Sequence, residues 1–429
     1  MAIFLLIIYT ILLFIRPHEW VFFGLGETQY VRNTLLACTA LFLIQRNKNL
    51  DLPQTRFMFL FTVTILLSLI FSGWLGSIVV YGQNFIQQSL LPFILITAFL
   101  DTRKKLNIIL FILVIASGIM VLNGYYQSTD IDGLGLIGNL AYQSQDFLRI
   151  RYIGFFNDPN DLGMFFVMSI PIVFFFKNKS PVLLKPVFWG MVIAILYGIY
   201  LTNSRGTLLA TVALCAYWFW TTYGTKKSMY VAVLFLPALL FVLSKFRTIS
   251  TEEESAEGRL EAWYEGYEML KSNPIFGVGY NQFLEYHFRT AHNSFVLAFA
   301  ELGLLGIFAW SALLTSTMLI LLKIAKKSYL PAGLQQEDPR YLAANEEAVI
   351  AKMFIYIFIA YFTSAFFLSR TYTPFFYFFL GLSTSSLARV RQIFPDVSRI
   401  FSYREIFRTS AFVAISGLVG IYIVVKLFL

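Results

Sequence analysis

This sequence predicts an all-α polytopic membrane protein, on three observations. Hydrophobic residues make up 58% of the 429 and charged residues only 13%, against roughly 25% charged in a soluble chain, which excludes an ordinary water-soluble enzyme. The apolar residues fall in runs of roughly 15–25 rather than in ten-residue alternations, and in lipid such runs satisfy their backbone groups only as helices. The charges collect in the short connections between runs. A mean hydropathy of +0.69 and the 46 Phe and 24 Tyr point the same way. The formal net charge of +9 would suggest nucleic acid in a soluble chain. Confined to inter-span connections, it predicts no nucleic-acid partner and contact with membrane lipids instead.

The runs give about 12–13 transmembrane helices. The first, 2–15, has no charged stretch before it and no small-residue cleavage site after it, so it reads as a retained span, with a signal-anchor as the alternative. Runs at 33–45 and 57–74 follow, separated by Arg46, Lys48 and Arg56. Next are 82–100 and 106–122, separated by Arg103, Lys104 and Lys105, and then 162–176 after a long Gly-rich connection. Lys177, Lys179 and Lys185 lead into 186–202, a very short link joins it to 206–222, and Lys226 and Lys227 precede 229–244. After a hydrophilic loop comes 294–322, long enough to be broken at Gly303 or Gly306. The last spans are 349–369, 372–388 and 410–428. If 410–428 is a surface helix, the count is twelve. Cys38 and Cys215 lie inside apolar runs, where a thiol behaves as a small hydrophobe, so neither a disulfide framework nor a metal knuckle is expected. No repeat or soluble domain interrupts the pattern, which makes residues 1–429 a single membrane domain with one loop, 245–293, outside the bilayer.

Lys and Arg in short loops mark the cytoplasmic side, and every even-numbered connection is basic. The tenth holds Lys323, Lys326 and Lys327, and the twelfth Arg389, Arg391, Arg399, Arg404 and Arg408. The ninth is acidic, with Glu252, Glu253, Glu254, Glu257, Glu261, Glu265, Glu268 and Glu285 against five cations. The N-terminus is therefore expected in the cytoplasm and the odd connections on the extracytoplasmic face.

On that face polar residues gather in three places. In Leu201-Thr-Asn-Ser-Arg-Gly206, Arg205 sits at the first turn of a span with Asn203 or Ser204 as N-cap. A guanidinium beside free helix N–H groups makes an anion site, and the alternative is an arginine that snorkels to lipid phosphates. In the acidic loop, Leu260, Trp263, Tyr264, Tyr267 and Leu270 recur at helical spacing with Glu261, Glu265 and Glu268 opposite. This predicts an amphipathic helix lying on the bundle, ended by Asn273-Pro274. Arg259 falls in its first turn, as an anion ligand or as the partner of a nearby Glu. The third place is Ala291-His-Asn-Ser-Phe295. His292 stands at a helix start, where the dipole keeps the ring neutral and able to accept a proton; the alternative is a capping role. Arg151, ahead of Asn157-Asp-Pro-Asn-Asp161, is a third anion contact. Asp130-Ile-Asp132 has the spacing of a metal pair but no further ligand, so no metal is expected. Glu301, inside a span and flanked by Gly303 and Gly306, is expected to tie a broken helix to its surroundings.

Asn157-Asp-Pro-Asn-Asp-Leu162, Asn203-Ser-Arg-Gly206, Gly258-Arg with Trp263, Asn273-Pro-Ile-Phe-Gly-Val-Gly279, His292-Asn and Glu301-Leu-Gly-Leu-Leu-Gly306 together resemble the O-antigen ligase and polymerase superfamily in order and spacing, over about residues 150–310. The resemblance implies a GT-C-like fold in the bacterial inner membrane with a periplasmic active site. It implies an undecaprenyl-pyrophosphate-linked glycan as donor and no metal, cofactor or nucleotide sugar. Carried over motif by motif, Arg205 and Arg259 would hold the pyrophosphate and His292 would serve as base. Both readings lead to direct displacement with inversion. The first expectation for the acceptor is a lipid A-core hydroxyl, which makes the chain a ligase, because the outer loop is compact. The alternatives are a polymerase, a protein O-oligosaccharyltransferase and a transporter of the same lipid-linked sugar. A transporter would place its charges near the bilayer midplane and show repeat symmetry.

Overall fold

The computed structural model describes the chain except for residues 24–28, 46, 47, 49, 144–147, 235–255, 332 and 429. It is 79% helical, and the sheet among the described residues is a small hairpin pairing Tyr142–Gln143 with Leu148–Arg149. The helices are α1 (Ala2–Phe14), α2 (Gln29–Ile44), α3 (Pro53–Phe71), α4 (75–99, with π-helical turns at Ile78–Gly82 and Ile86–Leu90), α5 (Arg103–Thr129) and α6 (Pro159–Lys179). They continue with α7 (Lys185–Thr202), α8 (Arg205–Tyr223), α9 (Ala256–Ser272), α10 (Ser294–Ala325), α11 (Pro339–Phe367), α12 (Pro374–Ile393) and α13 (Tyr403–Phe428). Residues 225–234 are also helical. The remainder of the 229–244 run, and Glu252–Glu254 of the outer loop, lie outside the described residues.

The chain is an all-α polytopic membrane protein. Among the described residues, seven helices are long and apolar enough to cross a bilayer on their own account: α3, α5, α6, α7 with its preceding turn, α10, α11 and α13. The other described runs are helical but differ for visible reasons. α1 has 13 residues and α2 16. α4 is interrupted by its π turns. α8 ends in Trp218, Trp220, Thr221, Thr222 and Tyr223, and α12 carries Ser383-Thr-Ser-Ser386 and Arg389. These polar residues are tolerated in α12 because Phe375–Val390 is buried among other helices, the Ser383, Thr384 and Ser385 hydroxyls donate back to carbonyls three or four residues earlier, and the Ser386 hydroxyl donates to Glu347 Oε2 at 2.8 Å.

Arg389 is therefore not a loop cation, as its place in the twelfth connection suggested. It is 3% exposed and forks onto Glu347 of α11, with Nε to Oε1 at 2.7 Å and Nη2 to Oε2 at 3.0 Å. Its remaining donors reach Ser385 Oγ, Ser386 Oγ and the Leu100 carbonyl. A charge this deep persists because the guanidinium nitrogens and both Glu347 oxygens are hydrogen-bonded.

The alternation of connections survives in three dimensions. At one end Arg103 pairs with Glu346, Lys323 with Glu405 and Arg391 with Asp51, which joins the second, fourth, tenth and twelfth connections. At the other end the Tyr152 hydroxyl donates to the Ile15 carbonyl at 2.6 Å, Ile150 N to the Leu201 carbonyl at 3.2 Å, and Tyr280 N to Ser68 Oγ at 3.1 Å. These contacts lie in or beside the first, third, fifth, seventh and ninth connections. α13 runs between the two ends. Its first turn carries Glu405 beside Lys323, and the Leu418 carbonyl accepts from Tyr267 of the outer helix α9. At 1.5 Å per residue its 26 residues span about 39 Å, enough for a bilayer.

Beneath the outer end, Phe14, Phe156, Phe165, Phe375 and Phe378 stack with centroids 4.9–6.1 Å apart. This cluster locks α1, α6 and α12 together directly under the segment that starts α6.

Candidate functional site

Ser204 is the N-cap of α8, its Oγ accepting from Thr207 N at 3.3 Å, which places Arg205 at the first helical position. Asn203, the other cap considered, instead ends α7 in the left-handed region with φ 49°. α6 lies close alongside: a Cβ on Gly163 would come 2.2 Å from Thr207 Oγ1. The N-terminal turns of α6 and α8 are therefore neighbours.

α9 carries Arg259 in its first turn and packs through Ala262, Trp263, Gly266 and Met269. The buried stripe is rotated from the one expected, since Tyr264 is 43% exposed. The rotation follows from Gly266, where a Cβ would meet Val296 Cγ1 at 2.5 Å, so α9 approaches α10 along its small residues. The Trp263 indole donates to the Ala291 carbonyl at 2.9 Å, which fastens α9 to the turn that holds His292. Burial, and after it the charge of Arg205, pull the Arg259 pKa below the usual arginine value. The two guanidiniums thus share one environment although 54 residues separate them in sequence.

His292 precedes the cap rather than forming it. Asn293 is the N-cap of α10, its Oδ1 accepting from Phe295 N at 2.8 Å and Val296 N at 3.2 Å. His292 stands one residue outside with φ 47°, a left-handed conformation that turns the chain into the helix. Burial, then the guanidiniums of Arg259 and Arg370, hold the imidazole down at about 4, with Asp158 opposing them and Arg289 adding to them. A value this low favours the neutral ring, and its causes are burial and the neighbouring arginines rather than the helix dipole invoked from the sequence.

The Asn273–Gly279 segment explains its own spacing. Gly303, with φ 65° and ψ −163°, breaks α10, which frees carbonyls above the break and amides below it. Val278 N and Gly279 N donate to the Ala300 and Glu301 carbonyls at 3.0 Å, while Leu304 N and Leu305 N donate to the Pro274 and Ile275 carbonyls at 2.9 and 3.3 Å. This turn segment thus restores the bonds that the break removes. A Cβ on Gly277 would lie 2.3 Å from the Glu301 carbonyl carbon. Glu301 Oε1 accepts from Phe283 N at 3.1 Å, the tying role expected of it. This clasp positions the upper half of α10, and with it His292.

Arg151 is not seen to join this cluster: its Nε donates to the Leu140 carbonyl at 2.7 Å. Arg149, two residues earlier, reaches the Thr202 carbonyl at 3.0 Å and Asn160 Oδ1 at 2.9 Å. Asp130 Oδ2 accepts from Leu134 N at 3.0 Å and closes a turn.

The sequence reading missed Arg370, in the short loop between α11 and α12. It donates to Asp158 Oδ2 at 2.6 Å and to Asp161 Oδ1, and these carboxylates hold its charge against the opposing effect of burial. The signal available was a lone arginine in Ser369-Arg-Thr371, an odd connection between two spans.

Residues 190–311 match the family model described as O-antigen ligase. The match covers Arg205, Arg259, the Asn273–Gly279 clasp, His292 and the break in α10, and stops short of Asp158 and Arg370. No match is found among curated proteins. The similarity to the O-antigen ligase superfamily thus rests on this segment, which holds most of the ordered motifs.

Proposed function

We propose that the protein is an O-antigen ligase-type glycosyltransferase. It moves a glycan from undecaprenyl pyrophosphate to a lipid A-core hydroxyl on the periplasmic face of the inner membrane, without a metal and with inversion. The observation that carries this reading is the convergence of Arg205, Arg259 and His292, from three separate elements, at the end of the bundle where the odd connections meet. The acceptor hydroxyl oxygen attacks the anomeric carbon as the bond from that carbon to the pyrophosphate oxygen breaks. The electron pair leaves on the pyrophosphate, where two guanidiniums stabilise the charge as it develops. His292 takes the hydroxyl proton. Basic even connections support a cytoplasmic position for the opposite end.

The test is reconstitution of the purified chain with lipid-linked glycan and lipid A-core in detergent containing EDTA. Ligated product is the expected result. Donor-length ladders formed without acceptor would assign polymerase activity instead, and a requirement for added Mg²⁺ or Mn²⁺ would bring Asp130 and Asp132 into the site.

A further inference from the structure

Arg370 links three parts of the chain. Its guanidinium forks onto Asp158 and Asp161 in the first turn of α6. Its backbone N donates to Ser294 Oγ at 2.8 Å, and Ser294 Oγ in turn donates to the Leu368 carbonyl at 2.7 Å. Around it Thr371 Oγ1 donates to the Ser294 carbonyl at 2.7 Å, Asn293 Nδ2 to the Phe366 carbonyl at 3.0 Å, and Thr290 Oγ1 to Ser369 Oγ at 2.8 Å. The loop after α11 is therefore bonded along both sides of His292, at residues 290, 293 and 294.

The charged groups that face His292 are Arg259 from α9, Arg370 from this loop, Arg289 from its own segment and Asp158 from α6. Asp158 is the single anion among them. Its Oδ1 is occupied by the cap of α6, accepting from Asn160 N at 2.8 Å and Asn160 Nδ2 at 3.0 Å, and its Oδ2 is held by Arg370 at 2.6 Å.

We propose that Arg370 is a positioning residue for the base: its fork neutralises Asp158 and pins the turn that carries His292, so that the imidazole stays neutral and in place. Without the fork, the charge of Asp158 is left uncompensated beside the imidazole, and an imidazolium–carboxylate pair persists to higher pH than in the native protein. Losing a nearby cation and exposing an anion both favour the protonated ring. An imidazolium cannot take the acceptor proton.

This inference rests on His292 acting as the base, and the experiment separates the two. Transfer is measured against pH for the reconstituted full chain. Arg370→Gln is expected to move the acid limb of kcat/KM upward by about one to two pH units, with turnover partly recovered once the pH is well above the raised limb. Arg370→Lys keeps the charge but loses the planar fork, so its limb stays where the native one is and its kcat falls at least about tenfold with KM little changed. Asp158→Asn added to Arg370→Gln removes the uncompensated anion while keeping a capping residue, and is expected to return the limb toward the native position. A native limb and native turnover in Arg370→Gln overturn the proposal. Should that variant fail to fold, native kcat in Arg370→Lys overturns it equally. His292→Gln reports on the base alone: loss of turnover at every pH upholds that reading whatever Arg370 does, and near-native turnover removes it.

Discussion

Arg205 and Arg259 each stand in the first turn of a helix, so each cation lies at the positive end of a helix dipole. Removing either by Arg→Ala is expected to reduce transfer about 10²–10³-fold, the usual loss when one preorganised donor to a developing charge is deleted. Arg→Lys at either position should recover little, because an ammonium does not reproduce the planar fork. Steady-state rates on the four variants check this, and a fully active Arg205→Lys would restore the snorkelling explanation. For His292 the neutral ring is the working form, so activity rises as pH climbs through its pKa. In the free protein that pKa is depressed to about 4 by burial and by Arg259 and Arg370. A bound pyrophosphate offsets the same arginines, so the acid limb of kcat is expected at higher pH than the acid limb of kcat/KM; coincident limbs would contradict it. The three side chains were legible in the sequence because each belongs to a local pattern: a cap followed by Arg, Gly-Arg opening an amphipathic run, His-Asn opening a span. Arg370 was not, because its meaning lies in two carboxylates more than 200 residues away.

The break in α10 and the segment that repairs it depend on two glycines with positive φ, Gly277 at 71° and Gly303 at 65°. Gly277→Ala brings a methyl against the Glu301 backbone, which has no room to retreat. It is expected to cost more than about 1 kcal/mol, since a left-handed position alone already penalises Ala. A clear drop in detergent-solubilised melting temperature, together with lost transfer, checks it. The Glu347–Arg389 pair of α11 and α12 makes a second case. Glu347→Ala leaves a guanidinium uncompensated in the bundle interior and is expected to destabilise by about 3–5 kcal/mol, seen as failure to accumulate in the membrane. Hydropathy located these helices well, because lipid-facing and core-facing positions are both apolar. It misread Arg389 as a loop residue, since a span that faces only other helices can carry charge that lipid would expel. The same limit applies to α9: periodicity identified the helix, but the close approach at Gly266 set which face packs.

Charge alternation sorts the connections of the whole molecule into two groups, and the helices bring each group together. A single cysteine at Asn281 is expected to react with an impermeant thiol reagent added from outside, and one at Ser328 to stay silent. The reverse pattern would invert the molecule. This sorting was legible because each short loop is read one at a time by the insertion machinery; the lateral arrangement was not, because nothing in a run of apolar residues says which other run it will meet. That arrangement has a consequence for the order in which the protein comes into being. Asp158 begins α6, while its partner Arg370 lies 212 residues further along, behind four of the long apolar helices. As the chain enters the membrane from its N-terminus, Arg205, Arg259 and His292 are all in place before the loop that braces His292 has been made. On the proposed mechanism, a chain that ends before residue 370 holds every residue of the proposed chemistry and no brace, so full activity is expected only late in synthesis, once the loop between α11 and α12 is made.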